Sequence, residues 1–171
     1  FFWFFFVFWH LRMEGISGDN IANYGLYQGL SLDIAKNLTS FTLTSTLVGY
    51  LFGAFAIPRI ISQQKAYLYS SVLGVGVVIL AIVTSGITSV VFIALLGLSN
   101  AILWPAIWPQ ALKGLSGKQL NKVSAILIMG IAGGAIMPLV YAWVSNYGNN
   151  RLAYFILIPC YLFNLYYGLR G

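Results

Sequence analysis

Long apolar stretches separated by short polar breaks dominate the chain, and six of them are long enough to be membrane-spanning helices. A helix that crosses a bilayer needs about 20 mostly apolar residues. The predicted spans cover residues 2–26, 38–60, 66–84, 88–112, 122–144 and 152–169. No break between them is long enough for a soluble domain. The pattern therefore predicts an all-α membrane protein in which residues 1–171 form one six-helix transmembrane bundle.

Composition excludes the soluble classes of protein. Apolar residues make up 60% of the chain and charged residues only 7%, against roughly 25% charged in an ordinary soluble domain. The net charge is +6, but the basic residues are scattered singly at the ends of apolar stretches, so no nucleic-acid partner is expected. The single cysteine, Cys160, excludes an internal disulfide and is expected to behave as a small core or lipid-facing residue.

The basic residues also predict an orientation. If Phe1 starts in the cytoplasm, six of the nine fall in cytoplasmic breaks: Arg59, Lys65, Lys113, Lys118, Lys122 and Arg170. Only Lys36 and Arg151 fall outside. This distribution satisfies the positive-inside rule, and the reverse orientation would violate it. Both ends of the chain are therefore predicted to be cytoplasmic, with the lipid bilayer as the surrounding partner.

The first span is unusual because it carries ionisable side chains. Glu14 lies near its middle, Arg12 and Asp19 flank it, and Asn20 and Asn23 follow. Charged groups inside a bilayer are costly and mark functional sites. Glu14 is predicted to line a water-filled cavity, with a structural pairing to Arg12 or to a neighbouring helix as the alternative.

The fourth span carries the most distinctive run, from Asn100 to Gln110. Asn100, Trp104 and Trp108 recur every four residues and so share one helix face. Pro105 and Pro109 each remove a backbone donor and free the carbonyl four residues earlier, which predicts a bend beside protein or a cavity. An indole can stack on the C–H face of a sugar, and an asparagine can bind its hydroxyls. For Trp108, an interfacial position is the alternative.

Small residues at four-residue spacing predict close helix packing in lipid. The pairs are Gly25/Gly29, Gly49/Gly53 and Gly130/Gly134. In the second span, Thr42, Thr44, Ser45 and Thr46 are expected to bond to backbone carbonyls or between helices.

Two runs, residues 100–110 and 125–139, together resemble the glucose/galactose branch of the fucose:proton symporter family, within the major facilitator superfamily. Residues 14–25 resemble the start of that family's seventh helix, and residues 57–66 resemble its loop between helices eight and nine. The resemblance covers nearly the whole chain from about Glu14 onward. The residues before Glu14 depart from the family pattern, so no role is carried over to His10 or Arg12.

The resemblance implies a transporter of two six-helix bundles, of which this chain is the second, C-terminal one. The expected partner is the N-terminal bundle, which is absent from this chain and would carry the principal proton-carrying acids. A start at Phe1 instead of Met agrees with a fragment. No enzymatic activity, metal site or cofactor is expected beyond a coupling cation, H⁺ or Na⁺. The implied location is the plasma membrane, which in bacteria is the inner membrane.

The family's mechanism is alternating access, in which the two bundles rock about a central site. The implied substrate is a monosaccharide, either glucose or galactose or a fucose-like sugar. The residues expected to face the sugar are Glu14, Asn20, Asn23, Asn100, Trp104, Trp108 and Gln110.

Two other classes of function are compatible with parts of the pattern. One is a non-transporting membrane scaffold or receptor derived from a transporter half, which would be expected to lose the polar residues inside the membrane. The other is an intramembrane serine protease, because residues 15–18 read Gly-Ile-Ser-Gly. That chemistry needs a histidine base beside Ser17, and the only histidine, His10, lies about 10 Å away along the same predicted helix.

Overall fold

The fold is built from helices that follow one another closely along the chain. The computed structural model describes residues 17–18, 20–57, 59–131, 136–147 and 149–170. In chain order the described helices are α1 (Ile21–Tyr27), α2 (Leu32–Ala35), α3 (Leu38–Ala56), α4 (Gln63–Val83), α5 (Gly86–Leu112), α6 (Gly117–Ile131), α7 (Ile136–Tyr147), α8 (Asn150–Ala153), a 3₁₀ turn (Tyr154–Ile156) and α9 (Leu157–Arg170).

Three stretches of the described chain are long and apolar enough to cross a membrane: Leu32–Ala56, Gln63–Val83 and Gly86–Leu103. They coincide with the second, third and fourth predicted spans. A shorter apolar helical stretch, Tyr154–Tyr166, lies in the sixth. Most of the first span and residues 132–135 of the fifth lie outside the described residues.

Helix bounds differ from the sequence prediction in several places. A short helix, α2, lies between the first two predicted spans, and α3 ends at Ala56 and not at residue 60. Helix α4 begins at Gln63, within a segment expected to be a loop, because the Ser62 side chain accepts a hydrogen bond from the backbone N–H of Lys65 and caps the helix. The break expected at residues 113–121 is shorter, since α6 already begins at Gly117. Gly114 has φ +77° and allows the chain to turn within these few residues.

Helix α5 lies at the centre of the packing. It packs against α3 and α4, α9 packs on α4, and α1 packs on α5. The α3–α5 contact is close because Gly49 faces Ala101 and the backbone of Leu98, while Gly97 faces Thr42 and Thr46. Gly49 thus fulfils the predicted packing role.

Threonine hydroxyls along α3 are satisfied locally, those of the buried Thr42 and Thr46 at this interface and that of Thr44 on the exposed side. Thr42, Thr44 and Thr46 each donate to the carbonyl four residues earlier, at 3.2, 2.8 and 2.9 Å. This confirms the prediction made for them. Cys160 is fully buried on α9, as expected for a small core residue.

Candidate functional site

A buried polar cluster joins three segments of the bundle around Asn100. The Asn100 side chain on α5 is fully buried. Its Nδ2 atom donates to the Oγ atom of Ser17 at 3.4 Å, and its Oδ1 atom accepts a hydrogen bond from the Tyr161 hydroxyl on α9 at 2.6 Å. We call Ser17, Asn100 and Tyr161 the Asn100 cluster. Its side chains are partnered, as buried polar groups must be.

The ring of Tyr161 is placed by the helix next to it. Gly74 on α4 lies directly against this ring, and any side chain at position 74 would collide with it. One residue before Asn100, the Ser99 hydroxyl donates to the Ser70 carbonyl of α4 at 2.6 Å. Helix α4 therefore fixes both Asn100 and its hydroxyl donor, which limits the directions that the amide can adopt.

Two other predicted sugar-facing residues lie around the start of α1. Asn23 is exposed, and Asn20 is half-buried at the N-terminus of the helix. The amide nitrogen of Asn20 is buried and makes no hydrogen bond within the described part of the chain. An exposed or unpartnered amide in such an apolar protein is expected to face a cavity or another protein surface.

The remaining predicted site residues are described in part or not at all. Trp104, Trp108 and Gln110 lie on the described backbone of α5, but their side chains fall outside the described part of the structure. Glu14 lies outside the described residues altogether, as do His10 and Arg12. Their contact with sugar stays a prediction.

The proline segment of α5 receives a donor from another helix. The Gln63 side-chain amide, at the first residue of α4, donates to the Pro105 carbonyl at 3.2 Å and to the Ala106 carbonyl at 3.3 Å. The Pro105 carbonyl is the one that Pro109 leaves without its helical partner. The predicted free carbonyl is therefore present, and its partner comes from outside the helix.

Next to this contact, a groove of about 410 Å³ runs between α3 and α5. Its lining is mostly apolar, with Tyr50 and Gln63 as its polar members. A monosaccharide carries several hydroxyls that each need a polar partner, so this groove does not by itself form a sugar site.

A second polar network ties the end of α1 to the turn between α4 and α5. The Gln28 amide donates to the Tyr24 hydroxyl at 2.7 Å, and that hydroxyl lies 2.7 Å from the Ser89 hydroxyl. The Gln28 side-chain oxygen also accepts from the Gly86 backbone N–H at 3.0 Å. This network fixes where α1 ends relative to α5.

A cluster of tyrosines continues from this network. The rings of Tyr24 and Tyr154 meet edge to face at 4.7 Å, and those of Tyr154 and Tyr141 at 5.3 Å. Tyr141, Tyr154 and Tyr161 were not singled out from the sequence. Tyrosine is common in this chain, and no spacing marks the residues that meet across helices.

Comparison with solved structures defines the fold. The E. coli fucose:proton symporter matches with a TM-score of 0.90 and 19% identity, over 98% of this chain and 41% of that one. A second structure of the same symporter, in the outward conformation, matches with a TM-score of 0.88 and 20% identity, over 98% of this chain and 41% of that one. A peptide transporter matches with a TM-score of 0.83 and 20% identity, over 99% and 37%. The fold is that of the major facilitator superfamily.

Sequence comparison narrows this to a family. No protein-family model matches the chain. The glucose/galactose transporter of Brucella abortus is 31% identical over 143 residues, which is 84% of this chain and 34% of that protein. A putative glucose/galactose transporter of Helicobacter pylori is 27% identical over 178 residues, 97% of this chain and 43% of that protein. The chain belongs to the family of the fucose:proton symporter and the glucose/galactose transporters.

Two facts follow from these comparisons. The relatives are transporters and not enzymes, so the protease alternative is set aside. Ser17 of the Gly-Ile-Ser-Gly segment is instead a partner of Asn100. The chain spans between about a third and two fifths of the length of the curated relatives it matches, and it is a multi-pass membrane protein.

Proposed function

We propose that the chain is the C-terminal six-helix bundle of a secondary transporter that imports a monosaccharide with a cation, H⁺ or Na⁺. The observation that carries the proposal is the 31% identity with a glucose/galactose transporter over 143 residues. The structures alone would not choose a sugar, because a peptide transporter shares the fold almost as closely. The substrate class is glucose, galactose or a fucose-like sugar.

The arrangement around Asn100 supports a site in the interior of the protein. Three segments of the bundle converge there, and amide and hydroxyl groups of the kind that bind sugar hydroxyls lie along it. In the proposed mechanism, Glu14, Asn20, Asn23, Trp104, Trp108 and Gln110 contact the sugar. Asn100 joins them when Ser17 exchanges its hydrogen bond for one to the substrate.

Transport needs no covalent chemistry in this mechanism. The two bundles rock about the site, so that it opens to each side of the membrane in turn. The cation binds one state more tightly than the other and shifts the populations of the two states. The N-terminal bundle, which this chain does not include, supplies the other wall of the cavity.

The test is uptake by the intact transporter in liposomes. Labelled glucose, galactose and fucose are offered with an imposed proton gradient, with a sodium gradient and with neither. The variants are Glu14→Gln and Asn100→Ala, with Asn146→Ala as the control because Asn146 is exposed at the end of α7. We expect gradient-driven uptake of one sugar, lost in Asn100→Ala and kept in the control.

Uptake identifies the sugar, and the gradient that drives it identifies the cation. No uptake of any sugar under either gradient would contradict the proposal and favour a scaffold or receptor. Full uptake by Asn100→Ala would be compatible with the proposed function but would show that Asn100 does not bind the sugar.

A further inference from the structure

Gln63 connects the start of α4 to the two-proline segment of α5. A proline lacks the N–H that a helix needs, so Pro109 leaves the Pro105 carbonyl unpaired within α5. The Gln63 amide donates to this carbonyl at 3.2 Å and to the neighbouring Ala106 carbonyl at 3.3 Å. A side chain from α4 thus replaces the donor that the α5 backbone has lost.

The position of the Gln63 side chain is fixed by the start of its own helix, α4. Helix α4 starts at Gln63 because Ser62 caps it through the Lys65 N–H. The Gln63 side chain is half-buried against α5, whereas the next residue, Gln64, is exposed. In a membrane protein a freed carbonyl must find a partner in a neighbouring helix, a side chain or water. Gln63 provides this partner only when the start of α4 lies next to the proline segment of α5.

The position of the proline segment within α5 connects this contact to the proposed sugar site. Asn100 and Trp104 precede Pro105 on α5, while Trp108 and Gln110 follow it. The proline segment therefore separates the predicted sugar-facing residues of this helix into two groups. The backbone geometry of this segment sets how the two groups are oriented towards each other.

We propose that Gln63 is a positioning residue for sugar binding: by donating to the carbonyl that Pro109 frees, it fixes the backbone of the proline segment of α5 and aligns the two parts of the predicted substrate face. The proposal rests on the proposed transport function. Gln63 does not touch the sugar. It acts through the α5 backbone, so its effect falls on substrate affinity more than on the stability of the fold.

The first test compares side chains of similar size at two adjacent positions in the intact transporter. Gln63→Met keeps the bulk and loses the donor, Gln63→Lys keeps a donor, and Gln64→Met is the exposed control. One hydrogen bond contributes on the order of 1 kcal/mol, so we expect KM for the transported sugar to rise about three- to tenfold in Gln63→Met. Turnover should change less, and Gln63→Lys should stay near the wild type.

Equal KM values for Gln63→Met and Gln64→Met would overturn the proposal. A Gln63→Lys variant as impaired as Gln63→Met would also overturn it, because the donor would then not be the property that matters.

The second test asks whether Gln63 acts through the freed carbonyl. Pro109→Ala restores the N–H that can bond to the Pro105 carbonyl inside the helix. In that background, Gln63→Met should raise KM much less than it does alone, which is the coupling expected for groups that share a partner. Additive effects of the two substitutions would overturn the proposal.

The third test does not depend on sugar. Spin labels at Lys65 and Lys113, which are exposed near the start of α4 and just after α5, report the distance between these helix ends, with Cys160→Ala to avoid background labelling. We expect a shifted or broader distance distribution in Gln63→Met and none in Gln64→Met. If no sugar is transported, the proposed function fails. A shifted distance distribution in Gln63→Met would still show that Gln63 fixes the position of α5 relative to α4. Unchanged distances would overturn it.

Discussion

At the scale of single residues, Asn100 owes its fixed orientation to side chains from distant parts of the chain. Its acceptor oxygen is bonded to a hydroxyl 61 positions away, and its donor to one 83 positions away. Such an amide has both its donor and its acceptor engaged, which stabilises the contact between the three segments. Removing one partner leaves a buried polar atom that loses a hydrogen bond.

Tyr161→Phe is therefore expected to destabilise the protein while leaving the ring in place. The substitution removes the 2.6 Å hydrogen bond to Asn100, and the loss should be about 1–2 kcal/mol in the free energy of unfolding. Thermal or denaturant unfolding of the intact transporter in detergent measures it. The control is Tyr69→Phe, since Tyr69 is 58% exposed on α4. Equal stability of the two variants would contradict the role assigned to the Tyr161 hydroxyl.

The sequence predicted one of the three members of this cluster. Asn100 stands out because a polar side chain interrupts an apolar span beside a two-proline run. Ser17 stands out only in the Gly-Ile-Ser-Gly segment, and Tyr161 does not stand out at all. Their contact with Asn100 depends on how residues 17–18, α5 and α9 are arranged. The Gln63 contact is similar: the prolines predicted a free carbonyl, but nothing in the spacing showed which helix would supply the donor.

At the scale of helices, the contact between α3 and α5 depends on small residues on both sides. The pair Gly49/Gly53 was predicted from its spacing, and Gly49 lies against Ala101. The matching pair on α5 is Gly97 and Ala101, also four residues apart. A pattern of glycine pairs does not predict it, because one of its two members is an alanine. The observed interface is a small-residue surface on each helix, as is typical where backbones approach closely in lipid.

Gly97→Ala is expected to push α3 and α5 apart. The added Cβ atom would lie 2.5 Å from the Thr42 carbonyl oxygen and 2.6 Å from the Thr46 hydroxyl, and backbone atoms cannot move aside cheaply. Overpacking of this kind costs about 1–3 kcal/mol. Gly53→Ala is the matched control, because its Cβ would meet Ile102 at an ordinary 3.5 Å. The melting temperature should fall for the first variant only, and equal melting temperatures would contradict the packing described here.

At the scale of the whole molecule, the positive-inside rule predicts which side each loop faces. Lys36 is predicted to be outside and Lys113 inside, and both are exposed. In a Cys160→Ala background, we expect Lys36→Cys to react with a membrane-impermeant maleimide in intact cells. Lys113→Cys should react only after permeabilisation. The opposite pattern would show that the orientation is reversed.

The exposed apolar surface of α3 indicates that the bundle does not function alone. Large apolar side chains are exposed along α3, among them Phe41, Leu47, Leu51, Phe52 and Phe55, at 55–65%. Lipid or another helical bundle must cover such a surface, because exposing this much apolar area to water is unfavourable. In the proposed transporter, one wall of the sugar cavity also comes from the N-terminal bundle.

The chain alone is therefore expected to insert into liposomes but not to concentrate any sugar. Alternating access requires two bodies that move against each other, and a single bundle has no second body to close the site on either side. Co-expression with the complementary N-terminal bundle as a separate chain should restore gradient-driven uptake, because the contacts between the bundles are non-covalent. Uptake by the purified chain alone, at the rate of the intact transporter, would contradict this division into halves and place the whole transport site within these 171 residues.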